Sequence, residues 1–281
     1  MSIGSAARID AHQHVWRLAR GDYGWLTPAL APIYRDFTLQ DLRPLAATTG
    51  VSGTVLVQAA PTEAETRFML ETAHASDGLV RGVVGWVDFE ARDAPDRLAA
   101  LAADRLLKGV RPMLHEIADP AWILRPAIAP ALRAMAALGL RFDALVKPPQ
   151  LAHLPGLIER HPDLALIVDH GAKPEIAAQG WQPWADDIAR VAAFPHVRCK
   201  LSGLVTEDGP HWRVDRLRRY VDHLVACFGP DRLVWGSDWP VVTLRASYVQ
   251  WVAAADALLA GLTPPERTKI FASNAIGFYG L

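Results

Sequence analysis

The chain has 281 residues, a formal net charge of −1 and 51% apolar residues, so it can bury a large core and carries no field that draws nucleic acid or an anionic membrane. Its two cysteines, Cys199 and Cys227, are too few for a disulfide framework, and its first residues lack the apolar core of a signal peptide. No apolar run reaches the roughly 18 residues of a membrane span, so the expectation is a cytoplasmic protein that meets a small molecule.

In chain order, Ile9 to His14 reads as a first strand. The segment from Trp16 to Phe37, with Tyr23, Trp25 and Tyr34, is too long for a simple connection and reads as a lid-like insertion after that strand. Gly53 to Ala59 is a second strand, and Thr62 with Glu65 forms a capping box for a helix through His74. Val80 to Asp88, Gly109 to Leu114 and Arg141 to Val146 are further strands, separated by helices at Asp93 to Asp104 and Leu124 to Leu138. A helix at Leu151 to Arg160, a strand at Ala165 to His170, a helix at Trp181 to Ala193 and a strand at Arg198 to Leu201 follow. The chain closes with helix Val214 to Phe228, strand Leu233 to Asp238, helix Ala246 to Leu259 and a helix start at Thr263, Pro264 and Glu266.

Apolar runs bounded by turns suit parallel strands covered on both faces. Eight strands alternating with helices predict an α/β fold of the (β/α)8 TIM-barrel type, one domain spanning 1–281. An open doubly wound sheet is the alternative, but no glycine-rich phosphate loop follows the first strand.

Barrels of this kind carry their chemistry at the carboxyl ends of the strands. His12 and His14 are two residues apart on one strand, so both imidazoles point to the same side. Later strands end in Gln58, Trp86, Arg111 with His115, Asp143, His170, Lys200 and Asp238. Zinc takes imidazole nitrogen and carboxylate oxygen, so His12, His14, His170 and Asp238 are candidate ligands as well as candidate catalytic groups. Arg111, His115, Lys200, Gln58, Trp25 and Trp86 are candidates for holding a substrate. His74, His153, His161, His196, His211 and His223 fall on helices or outer loops and read as solvated.

Several blocks resemble a known family. They are Asp10, Ala11, His12, Gln13, His14, Val15, Trp16; Val168, Asp169, His170 with Lys173 and Pro174; Cys199 to Leu204; Phe228 to Val241; and Asn274 to Leu281. In them the chain resembles the amidohydrolase superfamily, in the branch of sugar-acid lactonases and the pyrone dicarboxylate lactonase. Two-metal members resemble one another in a bridging Lys or Glu after strand four and a His after strand five. Here those positions hold Arg111 and Asp143. The resemblance therefore implies one divalent metal, zinc, or a metal-independent site.

The implied activity is hydrolysis of an aldonic or aldaric acid lactone. Asp238, ionised at neutral pH, takes a proton from water, and His12, His14 and His170 polarise the carbonyl directly or through one metal. A metal-dependent decarboxylase of the same superfamily and a lactone isomerase are the alternatives. Neither the particular lactone nor the oligomeric state is readable from the sequence.

Overall fold

The computed structural model describes residues 8–281. Eight parallel strands are hydrogen-bonded in sequence order: β1 Arg8–Gln13, β2 Val51–Val57, β3 Val80–Gly85, β4 Leu107–Val110, β5 Arg141–Ala144, β6 Leu166–Val168, β7 Arg198–Leu201 and β8 Leu233–Trp235. Helices cross over between successive strands, which is the connection that parallel neighbours require. Beyond the last ladder, Asp238 N–H donates to the His12 carbonyl and His14 N–H to the Trp239 carbonyl, each at 2.7 Å. These bonds draw β8 onto β1 and nearly close the barrel.

Every expected strand is present, but most end earlier than their apolar pattern. The run Val80 to Asp88 stops pairing at Gly85, and Leu233 to Asp238 stops at Trp235. Val87, Leu145 and Val146 remain buried after their strands have ended, so hydrophobicity alone extends the reading. Asp88 is exposed. Leu124 to Leu138 resolves into short 3-10 turns followed by the helix Ala129–Ala137, which Pro126 and Pro130 separate from a regular start. A helix at Leu39–Thr49, capped by Thr38 and Asp41, lies before β2, although Pro44 in its interior hides it from the sequence pattern.

Two apolar layers hold the barrel. The larger fills the space between strands and helices. The smaller lies inside the barrel, where Ile9, Val55, Val84, Ile167 and Val234 pack against Phe278 and Tyr279 of the last helix, Asn274–Tyr279. That helix sits at the amino ends of the strands: Arg141 at the start of β5 donates to the Phe278 carbonyl, and Lys108 on β4 donates to the Gly280 carbonyl. The opposite, carboxyl end of the barrel is left for chemistry.

The segment after β1 has its ends paired, Trp16 and Phe37 exchanging backbone hydrogen bonds at 2.9 and 3.0 Å. Inside it the buried Trp16 ring meets Trp25 edge-on, and the Trp25 indole N–H reaches the Ala59 carbonyl at 2.6 Å. No helix among the described residues is long and apolar enough to cross a membrane.

Candidate active site

The carboxyl end of the barrel opens into a cavity of about 200 Å³ lined by His14, Trp25, Arg111, His115, His170 and Asp238, together with Lys173, Glu116 and the apolar Ala59, Met113, Leu145 and Val241. Three imidazoles of the site gather round the Asp238 carboxylate, which is one of the lining groups. Asp238 Oδ1 lies 3.3 Å from His14 Nε2, 3.8 Å from His12 Nε2 and 3.9 Å from His170 Nε2. The four residues expected to act together from strands one, six and eight therefore do converge.

Backbone geometry brings them there. Asp238 and His170 both adopt left-handed conformations, φ 58° and 54°, which non-glycine residues rarely hold without a surrounding structure that enforces them. Two glycines make room. A Cβ on Gly236 would stand 2.7 Å from the His12 Cβ, and one on Gly203 would stand 2.6 Å from His170 Nδ1. Asp10, which nothing in the sequence singles out as a site residue, ties the arrangement together: its carboxylate accepts from Ser237 N–H at 2.7 Å, His12 N–H at 3.2 Å and the Tyr248 hydroxyl at 3.0 Å. The loop carrying Asp238 is thus anchored to the strand carrying His12. Burial pushes the Asp10 carboxyl up to about 6, against the pull of these hydrogen bonds.

The imidazoles are held in defined roles. His14 Nδ1 lies 2.7 Å from the Val57 carbonyl, which can only accept, so Nδ1 carries a proton and the ring is turned to face Asp238 through Nε2. His170 Nδ1 pairs with the Ser202 hydroxyl at 2.9 Å, leaving Nε2 toward the carboxylate. Burial pushes the imidazoles of His12 and His170 well below the usual histidine value, with the Lys200 cation adding to the effect on His12. Burial opposes ionisation of Asp238, but the positive field of His170, His14 and Lys173 and its hydrogen bond with His14 outweigh it and hold its carboxyl below the ordinary value.

Beneath His12 lies a buried charge network. Lys200 Nζ contacts Asp143 Oδ2 at 2.5 Å, Asp169 Oδ1 at 3.0 Å and His12 Nδ1 at 3.1 Å, and the Tyr279 hydroxyl donates to Asp143 at 2.8 Å. Arg111 joins from β4, donating to Asp169 and to His12 Nε2, both at 3.2 Å, and to the Gln58 carbonyl. Burial disfavours the Asp169 carboxylate, but Lys200, His12 and Arg111 around it hold it well below the usual range.

The substrate-holding candidates divide accordingly. Arg111, His115 and Trp25 line the cavity. Lys200 does not: it is wholly buried below the site, paired with two carboxylates, because its strand turns it into the barrel interior. Gln58 is likewise buried and donates to the Arg111 carbonyl. Trp86 lines a neighbouring cleft with Phe89, Pro112 and Trp122. Of the cavity walls, Met113, Leu145 and Val241 carry no polar signal in sequence that would single them out.

The donor set fits a divalent cation. His12, His14 and Asp238 form one cluster of possible ligand atoms, and His170 reaches the same carboxylate. In particular, His14 Nε2 and an Asp238 carboxylate oxygen lie 3.3 Å apart, close enough for both atoms to ligate one cation. Imidazole nitrogens and a carboxylate are the ligand types zinc takes in catalytic sites.

The family model described as Amidohydrolase matches residues 9–281. An L-fucono-1,5-lactonase from Burkholderia ambifaria is 45% identical over 276 residues, covering 97% of this chain and 95% of that protein. A second L-fucono-1,5-lactonase, from Burkholderia multivorans, is 33% identical and covers 98% of this chain and 97% of its own length. Among solved structures, an amidohydrolase from Burkholderia multivorans with bound zinc is similar with a TM-score of 0.92 and 34% identity, over 98% of this chain and 100% of that one. A match that runs from β1 to the last residue, on a barrel whose polar residues gather at its carboxyl end, makes this chain a member of the amidohydrolase family.

Proposed function

We propose that this chain hydrolyses the lactone of a neutral sugar acid, an aldono-1,5-lactone of the kind its two relatives are named for. The observation that carries the reading is Asp238, an ionised carboxylate at the cavity floor ringed by three imidazoles. Asp238 takes a proton from water as the water oxygen bonds to the ring carbonyl carbon. The carbonyl oxygen gains the developing negative charge, and the imidazoles and the Arg111 guanidinium supply the positive end of the field that stabilises it. When the bond from the carbonyl carbon to the ring oxygen breaks, Asp238 returns its proton to that oxygen and the hydroxy acid is released.

A zinc ion held by His12, His14, His170 and Asp238 would supply Lewis-acid polarisation of the carbonyl and a lower pKa for water. The chain's own part is the same with or without it. His14 is oriented by Val57 and His170 is oriented by Ser202. Asp169, Asp143 and Lys200 hold His12 from below.

The cavity favours a small substrate with a single carboxyl function. Its volume of about 200 Å³ lies below the roughly 300 Å³ at which sites for drug-sized ligands begin, which suits one sugar ring. The charge of Arg111 is met by Asp169 and that of Lys173 by Glu207, so both cations facing the cavity are already neutralised within the protein, which disfavours a second carboxylate on the substrate. Met113, Leu145 and Val241 suit an apolar ring substituent, and His115, kept neutral by burial with its pKa lowered to about 3, suits a sugar hydroxyl. The segment from Trp16 to Phe37 serves as a lid whose wall is Trp25.

The test is acid release, followed with a pH indicator, from a panel of aldono- and aldarolactones, before and after chelation and with zinc added back. Release from aldono-1,5-lactones that exceeds release from aldarolactones supports the reading. A preference for the dicarboxylates overturns the substrate class, and silence across the whole panel overturns lactone hydrolysis.

A further inference from the structure

The geometry points to Glu65 as a positioning residue that sets Arg111 and Trp25 through the two peptide groups following β2, an inference that rests on the lactonase reading only for its kinetic consequence. Glu65 lies on the first turn of the helix Glu63–His74 and is wholly buried. Thr62 caps this helix by accepting the Glu65 N–H at 3.1 Å, but the Glu65 side chain does not complete a capping box. It turns back to the loop after β2 instead, where it accepts from Ala59 N–H at 3.0 Å and from Ala60 N–H at 2.6 Å.

Each of those two peptide groups carries a site residue at its other end. The Ala59 N–H belongs to the same planar unit as the Gln58 carbonyl, which accepts from the Arg111 guanidinium. The Ala60 N–H belongs to the same unit as the Ala59 carbonyl, which accepts from the Trp25 indole at 2.6 Å. A rigid peptide plane fixed at its nitrogen end fixes the direction of its oxygen, so the carboxylate determines where both carbonyls point. It also polarises both planes in the sense that strengthens their acceptor oxygens. The carbonyl one residue earlier, Val57, holds His14 and has its own support, since the Gln58 N–H donates to the Val84 carbonyl at 2.9 Å. Three consecutive carbonyls therefore orient His14, Arg111 and Trp25, and Glu65 governs the last two.

A buried carboxylate is a costly way to satisfy two amides that water or a neighbouring carbonyl could serve, which is why its role extends beyond the helix end. Burial raises its carboxyl to about 7, against the pull of the Ala60 and Ala59 amides. The charged groups around it are Asp22 on the segment after β1 and Arg111 on the loop after β4.

The test compares wild type, Glu65→Gln and Glu65→Asp. Glutamine keeps the size but loses the charge, and because Oε2 accepts from both amides its NH2 group comes to stand where Oε1 accepts from the Ala59 N–H, donor against donor. Aspartate keeps the charge but is one methylene short of the amides. The first readout is the Trp25 indole N–H resonance in a proton–nitrogen correlation spectrum, assigned by its absence in Trp25→Phe. The inference predicts that this resonance moves in either folded variant, while the indole resonances of Trp184 and Trp251, bonded to Gly171 and Gly236, stay in place. The second readout is turnover: kcat/KM on the best lactone falls about 10- to 100-fold, and combining Glu65→Gln with Trp25→Phe costs less than the sum of the two. An unmoved Trp25 resonance in a folded variant overturns the inference, as does strict additivity of the two substitutions. Because the resonance is read without substrate, it reports on Glu65 even if no lactone is turned over.

Discussion

His14 Nε2 and Asp238 Oδ1 face each other at 3.3 Å with the proton of His14 committed to the Val57 carbonyl on the far side of the ring. Two lone-pair-bearing atoms do not rest at that distance unless a proton or a metal ion lies between them. This makes the pair the most informative place in the molecule to perturb. With Asp238→Asn, a neutral amide replaces the carboxylate proposed as the base, and turnover is expected to fall about 10²- to 10⁴-fold. The fold should be unaffected, because the bond joining this loop to β1 is made by the Asp238 backbone N–H. Circular dichroism and thermal unfolding check the second point, and a variant with near-normal kcat would falsify the base role.

Metal uptake follows from the same contact. Protein stripped with a chelator and dialysed against zinc is expected to bind one ion per chain, and His14→Ala is expected to bind none, as measured by metal analysis after equilibrium dialysis. Equal uptake by the variant would move the ion away from His14. Activity that survives stripping would assign the polarising role to the imidazoles and Arg111 alone.

How much of this was open to a reader of the sequence depends on the range of the contact. The strand pattern is local, so all eight strands could be found, and the spacing of His12 and His14 placed two rings on one side of β1. Lys200 shows the limit. A lysine at a strand end looks like a substrate clamp until β5, β6 and the final helix bring Asp143, Asp169 and Tyr279 together with it, from positions separated by up to 136 residues. Glu65 was legible as part of a helix start, but its partners are backbone amides, which leave no residue-type signature. The helix Leu39–Thr49 was hidden by Pro44, whose missing N–H the structure tolerates within the first two turns.

Lys200→Met tests the network below the site. Methionine fills similar space, but Asp143 and Asp169 then share a buried pocket with fewer cations, the situation in which breaking a buried pair costs about 3 to 5 kcal/mol. The expected result is a large drop in unfolding free energy, read from the denaturant midpoint, together with lost turnover because His12 loses its support. Adding Asp143→Asn to Lys200→Met should recover part of the stability. If the double variant is no more stable than Lys200→Met, charge imbalance is not the cause.

Two glycines offer a paired comparison. Gly236→Ala drives a Cβ to within 2.7 Å of the His12 Cβ and 3.0 Å of the His12 backbone nitrogen, neither of which is the end of a flexible side chain. Overpacking of this kind costs about 1 to 3 kcal/mol, and the displacement of His12 should depress kcat further. Gly277→Ala, within the helix Asn274–Tyr279, meets nothing within 4 Å and is expected to be neutral or to stabilise by about 0.5 to 1 kcal/mol. Thermal unfolding of the two variants side by side is the check, and a Gly236→Ala protein as stable and active as Gly277→Ala would contradict the packing argument.

Asp10 gives the fold a pH dependence whose sign is fixed by its surroundings. Its carboxyl is raised from the ordinary 3.8 to about 6, chiefly by burial, so the folded protein holds a proton there that the unfolded chain has already released. Between about pH 4 and pH 6 the folded state binds more protons than the unfolded state, and stability from this group falls as pH rises. A shift of about two units corresponds to about 3 kcal/mol over that window. Asp10→Asn keeps an acceptor for the Ser237 and His12 amides and places its own amide opposite the Tyr248 hydroxyl, which can rotate to accept. The variant is therefore expected to match wild type near pH 4 and to gain on it steadily up to about pH 6, beyond which the difference levels off. Unfolding midpoints measured at several pH values decide the matter: a difference that is constant with pH, or that shrinks as pH rises, would mean that the Asp10 carboxylate is better solvated in the folded protein than its burial implies.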